Sequence, residues 1–126
     1  MKLASIDIGL KRIGVALSLT KTIVTPQTAI LRKNRNQASN DVDSFLKEWE
    51  IEKLIVGFPS SSDDMQKRVK HFVNLLKFEG EIAFQEENMS SIEAEELMKG
   101  DIKYKRDGRV DSLAAKIILE RYLAKN

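Results

Sequence analysis

Two apolar runs set only two residues apart constrain this chain more than any other feature in it. Residues 3–8, L-A-S-I-D-I, put Ile6 and Ile8 on one face of an extended strand and Ser5 and Asp7 on the other. Residues 11–18 repeat the period-two spacing with Ile13, Val15 and Leu17. The link, Gly9-Leu10, has hairpin length. A third extended segment, residues 22–31, carries Ile23, Val24, Ile30 and Leu31 around Pro26. A proline gives no backbone donor, so this strand belongs at an edge or is bent. The chain therefore begins with three meandering strands.

After the polar loop R-K-N-R-N-Q the period changes. Val42, Phe45, Leu46 and Trp49 predict a helix over 38–49. K-L-I-V-G at 53–57 is the continuous apolar run of a buried strand. Pro59 and S-S-S-D-D open a loop. Met65, Val69, Phe72, Val73 and Leu76 then predict a helix over 64–79, with His71 off its apolar face. Residues 81–85, with Ile82 and Phe84, read as a fifth strand. Ser90 or Ser91 caps a helix running to about Met98, closed by Gly100. A last helix, cued by Asp107-Gly108 or by Asp111, runs through Leu113, Ala114, Ile117, Ile118 and Tyr122.

The order β-β-β-α-β-α-β-α-α predicts an α/β fold, a five-stranded mixed sheet with helices on both faces. A chain of 126 residues, 42% of them hydrophobic, fits one domain over residues 1–126. It lacks room for a second lobe closing over a nucleotide. Cysteine is absent, which removes disulfides and thiolate metal sites and fits a reducing compartment. No apolar stretch approaches the roughly 20 residues of a membrane span. The N-terminus, with Lys2 and an apolar run broken by Asp7, is a poor signal peptide. A cytoplasmic protein without membrane contact is expected.

Net charge is only +2, so distribution matters more than balance. Lys11 and Arg12 form one basic group, Arg32, Lys33 and Arg35 a second, and Lys67, Arg68 and Lys70 a third. The densest stretch is residues 99–109, K-G-D-I-K-Y-K-R-D-G-R. Acids cluster elsewhere, at Glu86-Glu87 and around Glu93 to Glu96. This separation suits a polyanion-binding face, and it equally suits an ordinary solvated surface.

Functional groups of open α/β sheets gather beyond the carboxyl ends of the strands. Asp7 is near the end of the first strand and Glu86-Glu87 at the end of the fifth. Asp111 opens the final helix, with Ala114 and Ala115 sharing its face, so that helix can pack close to the sheet. Each acid has a simpler reading: Asp111 as a helix cap, Glu86-Glu87 as loop charge. An acid set among strand apolars, as Asp7 is, has less structural purpose. Crowded carboxylates repel, and a divalent cation relieves that conflict. Oxygen donors without cysteine favour Mg²⁺ or Mn²⁺ over Zn²⁺. Such ions activate water for phosphodiester cleavage, with nearby cations holding the flanking phosphates.

The segment D-I-G-L-K-R-I-G-V-A-L-S at 7–18 resembles the opening motif of the YqgF (RuvX-like) family. Its members are known as Holliday-junction resolvase-like proteins and as nucleases of pre-16S rRNA. I-V-G-F-P at 55–59 resembles the family's Val-Gly-Leu-Pro strand end, and V-D-S-L-A-A-K-I-I-L-E-R-Y-L at 110–123 its C-terminal helix. The resemblance implies an RNase H-like fold. It also implies a metal-dependent endoribonuclease that processes the 5′ end of pre-16S rRNA in ribosome biogenesis. Carried over by motif, Asp7 and Asp111 are the first and last catalytic, metal-holding acids. The third comes from the family's Asp-Glu-Arg-Leu-Thr/Ser-Thr motif, which reads E-E-N-M-S-S here. Glu87 matches its glutamate, and Glu86 is a possible substitute in the aspartate position. Lys11, Arg12, Lys105, Arg106 and Arg109 are the cations expected to hold nucleic acid. Asn88 replaces the motif's arginine, and the loop after Pro59 is shorter than the family's. Two other functions fit the same residues. One is a DNA nuclease acting on four-way junctions. The other is a non-catalytic RNA-binding ribosome assembly factor.

Overall fold

The computed structural model describes residues 1–86 and 109–125, with the side chains of residues 109–111 outside that description. The elements are β1 (Leu3–Ile8), β2 (Arg12–Ser18), β3 (Thr25–Leu31), α1 (Arg35–Glu48), β4 (Lys53–Phe58), α2 (Asp63–Leu75), β5 (Glu81–Glu86) and α3 (Arg109–Ala124). The strands form one mixed sheet in the order β3-β2-β1-β4-β5. β1 is antiparallel to β2 and parallel to β4, β2 is antiparallel to β3, and β4 is parallel to β5. The strand carrying Asp7 is therefore central, and β3 with its Pro26 is an edge.

The β1–β2 hairpin turns through Gly9, Leu10 and Lys11, one residue more than the sequence suggested, because β2 starts at Arg12. The Gly9 N–H donates to the Arg12 carbonyl at 3.0 Å. A Cβ at Gly9 would stand 2.6 Å from that same oxygen, so only glycine permits the approach. β3 starts at Thr25 rather than residue 22. Val24 still turns inward against α3, while Ile23 stays exposed.

α1 begins at Arg35, three residues earlier than the apolar spacing indicates. Asn34 and Gln37 form a reciprocal capping box, which satisfies backbone donors at the helix start. Ser62 caps α2 by accepting from the Met65 N–H, and Asp63 and Asp64 sit favourably at the positive end of the helix dipole. α2 stops at Leu75 rather than 79. Leu76 is already extended, and Leu76 and Phe78 pack on the core as loop residues on the way to β5.

Two apolar layers flank the sheet. Ile6, Ile8, Ile13, Val15, Leu54 and Val56 face α1 and α2, burying Val42, Leu46, Val69 and Phe72. Leu3, Ala16 and Ile55 face α3, burying Ala115, Ile118 and Leu119. The expected helix after Ser90 lies outside the described residues. Among the described residues, no helix is long and apolar enough to cross a membrane.

Candidate functional site at the carboxyl edge of the sheet

Asp7 is half-buried near the end of β1. Ser5, two residues back on the same face, donates its hydroxyl to the Ala115 carbonyl of α3 at 2.6 Å. Strand alternation therefore turns Asp7 toward the α3 side of the sheet. The parallel ladder pairs Ile6 with Val56, and Gly57 with Gln85. One residue beyond Ile6, Asp7 thus stands abreast of Gly57 and Gln85 at the carboxyl ends of three neighbouring strands. Gly57 contributes no side chain there. Gln85 is buried on the same face.

α3 crosses the sheet from β3 and β2 over β1 to β4 and β5. The Val15 amide donates to Ser112 Oγ at 3.4 Å, next to the β2–β3 register shift, where a bulge leaves ladder groups unpaired. Further along the helix, Ala115 meets Ser5, and Tyr122 meets Lys53 at the start of β4. The first turn of α3, which includes Asp111, consequently sits at the Asp7 end of the sheet. Ala114 and Ala115 are fully buried, so the helix lies close to the strands as their small side chains allow.

Glu86 takes the other side. It follows Ile82 and Phe84 in alternation, and Ile82 packs against the α1/α2 core. The Ser60 hydroxyl donates to Glu86 Oε1 at 2.8 Å. By strand alternation Asp7 and Glu86 leave their strands on opposite faces, and Glu86 with Gln85 also borders a cleft beside Arg121, Ala124 and Lys125 at the end of α3. Glu87, Lys105 and Arg106 lie outside the described residues. Arg109 and Asp111 are placed as backbone positions of α3 only.

Lys11 is exposed in the β1–β2 turn, and Arg12 is half-buried where β2 pairs with Leu31 of β3. Both are at the Asp7 edge. So is Arg32, which follows β3 and whose Nη1 donates to the Gly9 carbonyl at 2.9 Å. Burial first, and then the neighbouring Arg35 and Arg68, push the Arg32 guanidinium below its ordinary value.

Three positions were not singled out from sequence: Ser5 and Ser112, which fasten α3, and Gln85, which shares the Asp7 face. Strand alternation could have found Gln85. The two serines carry no sequence signal, because their partners lie about a hundred residues away along the chain. A groove of about 820 Å³ bordered by Asp43, Lys47, Lys77 and Gly80 opens at the opposite edge of the sheet, away from Asp7.

Among the described residues, no three of His, Cys, Asp and Glu gather closely enough to hold a metal ion. Of the three expected acids, only Asp7 has a described side chain. The chain's donor set remains one of oxygens, since cysteine is absent.

Residues 1–125 match the family model described as "RuvX: Holliday junction resolvase". A protein of Sulfurovum sp. (strain NBC37-1) is 59% identical over 127 residues, covering 98% of this chain and 99% of its own length. One from Sulfurimonas denitrificans is 58% identical over 126 residues, covering 98% and 97%. Both bear the name "Putative pre-16S rRNA nuclease". Among solved structures, the fowlpox virus Holliday junction resolvase superposes with a TM-score of 0.60 at 15% identity over 100% of both chains. The same resolvase with a Holliday junction DNA gives 0.60 at 14% identity over 99% of this chain and 98% of its own. These superpositions bear on the fold, which is RNase H-like. On the end-to-end match and the identity of its relatives, the chain belongs to the RuvX family.

Proposed function

We propose that this protein is a nuclease that hydrolyses phosphodiester bonds in the precursor of 16S rRNA, at a Mg²⁺ or Mn²⁺ site held by Asp7, Glu87 and Asp111. The observation that carries this reading is the position of Asp7. It is half-buried on the central strand, faces the helix that brings Asp111, and has the small Gly57 beside it. The name borne by full-length relatives supports RNA as the substrate. A divalent ion bound there supplies an activated water and stabilises the leaving oxygen. The protein's own residues place the acids, fix their spacing through the Ser5 and Ser112 anchors, and offer Lys11 and Arg12 to phosphates at the same edge. The lack of cysteine and of a membrane-crossing helix among the described residues supports one domain working in the cytoplasm.

A cleavage assay tests the proposal, comparing a 16S precursor leader with a four-way DNA junction in Mg²⁺, Mn²⁺ or EDTA. RNA cleavage should require metal and fall by at least about 10²-fold in Asp7→Asn, as for a lost ligand. Cleavage that survives both EDTA and the substitution overturns the mechanism. The family's description favours one second reading, a nuclease of DNA junctions. Cutting of the junction alone would establish it, since carboxylates and metal act on phosphate whatever the sugar. RNA binding with no cleavage of either substrate would point instead to an assembly factor.

A further inference from the structure

The fold gathers cations that the sequence keeps apart. Arg32 follows β3, Arg35 opens α1, and Arg68 and Lys70 belong to α2. Arg32, Arg35 and Lys70 meet Phe72, His71 and Phe58 on the α1/α2 side of the carboxyl edge, and Arg68 lies one helical turn before Phe72 on α2. The Arg32 guanidinium is fixed twice. It donates to the Gly9 carbonyl at 2.9 Å, and it lies 5.6 Å from the ring centre of Phe72, which is fully buried. Arg35 Nη1 lies 2.9 Å from His71 Nε2, which ties the start of α1 to α2. Lys70 Nζ lies 5.6 Å from the ring centre of Phe58, at the end of β4. Among the described residues, none of these four cations forms an ion pair with a carboxylate.

Such an arrangement is costly without an anion. Burial first, then Arg35 and Arg68, oppose the charge on Arg32, and among the described residues no acid pairs with it. Two of the groups are braced on aromatic rings, which holds their donors in place before any ligand arrives. Guanidinium forks match phosphate oxygens better than they match any neutral ligand. The seat begins at Gly9, two residues from Asp7. It lies on the face opposite α3. A strand reaching Asp7 would leave along this rim.

We propose that Arg32, Arg35 and Arg68 form a phosphate seat that grips the nucleic-acid backbone on the α1/α2 side of the Asp7 edge. The seat rests on the nuclease reading of that edge and adds to it the path of the strand. Because its contacts are to phosphate, it orients the strand without reading its bases.

Binding without cleavage tests it. A fluorescent RNA of about 20 nucleotides from the 16S leader is titrated in EDTA across a series of NaCl concentrations. Arg35→Gln, Arg68→Gln and the double variant are compared with wild type, and Lys47→Gln in the last turn of α1 serves as control. The exposed arginines are chosen because Arg32 also holds the hairpin. Thermal melting confirms that each variant is folded. The double variant should bind roughly tenfold or more weakly at low salt. Its log-log salt slope should be shallower by roughly 1.4, the share of two single-strand phosphate contacts. A DNA strand of the same sequence should lose as much. The control should match wild type. If wild type binds and cleaves while the double variant keeps wild-type affinity and slope, the seat is overturned and the nuclease reading stands. If wild type binds no strand, both fall.

Discussion

Ser5 and Ala115 join the strand that carries Asp7 to the helix that carries Asp111: the hydroxyl donates to the carbonyl at 2.6 Å, fully buried. Ser112, one residue after Asp111, makes the second tie by accepting from the Val15 amide. Both anchors are short polar side chains in otherwise apolar packing. They fix the height of the helix along the strand, a quantity that apolar contacts leave adjustable.

Removing Ser112 should cost more than removing Ser5. Ser112→Ala strands a buried amide donor beside the bulge, at about 1–3 kcal/mol. Ser5→Ala leaves a helix carbonyl that retains its helical acceptor role, at about 1 kcal/mol. Denaturant unfolding checks both values. Cleavage should fall further than stability predicts, because a shifted helix changes the spacing of Asp7 and Asp111. Equal losses in the two variants, with full activity, would mean the anchors serve packing alone.

The two glutamates at the end of β5 should separate cleanly. Glu86 accepts from Ser60 and, by strand alternation, leaves β5 on the face opposite Asp7. Glu86→Gln should keep cleavage within about threefold of wild type. Glu87→Gln should lower it by at least about 10²-fold, as expected of a metal ligand. Single-turnover cleavage at saturating metal is the measurement. The reverse ranking would move the third acid to Glu86 and place the reacting phosphate differently.

Much of this architecture is legible in the sequence because it is local. Period-two spacing marks β1 and β2, the continuous run at 54–56 marks β4, and Pro26 places β3 at an edge. The departures are local too. The Asn34–Gln37 capping box stood in a stretch read as loop, and apolar spacing ran α2 past Leu75 because Leu76 and Phe78 stay on the core without being helical. The alternation of Ile82 and Phe84 carries the side on which Glu86 leaves β5. What could not be read was which groups share an edge. Arg32 reaches Phe72 of α2 only because β3 and β4 end at the same side of a sheet whose order is β3-β2-β1-β4-β5. No spacing in the chain encodes that.

Gly9 should be intolerant of even a methyl group. An added Cβ would stand 2.6 Å from the Arg12 carbonyl, whose oxygen the Gly9 amide already uses. Backbone cannot yield as a flexible side chain can, so Gly9→Ala should cost about 1–3 kcal/mol. The displaced turn would carry Asp7 and the Arg32 contact with it. Activity should therefore fall more than folded fraction at the assay temperature. Leu10→Ala, at the exposed tip of the same turn, is the comparison and should alter neither. A Gly9→Ala protein with wild-type melting and cleavage would show that the hairpin adapts.

Alkaline titration should probe the other end of the sheet. Lys53 Nζ lies 3.1 Å from the Glu81 carboxylate and 4.9 Å from the Tyr122 ring centre, linking β4, β5 and the last turns of α3. Tyr122 first, and Glu81 second, hold the ammonium above the usual lysine range. A group whose folded value is raised stabilises the fold while it is protonated in both states. The contribution is therefore complete below about pH 10.4, the ordinary lysine value, and is lost as pH rises through the higher folded value. Melting curves of wild type and Lys53→Met should differ by a constant amount from neutral pH to about pH 10, then converge. Because Lys53 is at the amino end of β4 and Asp7 near the carboxyl end of β1, cleavage at neutral pH should be unchanged in the variant. A difference that instead grows with rising pH would mean that the ammonium is not the stabilising partner in this cluster.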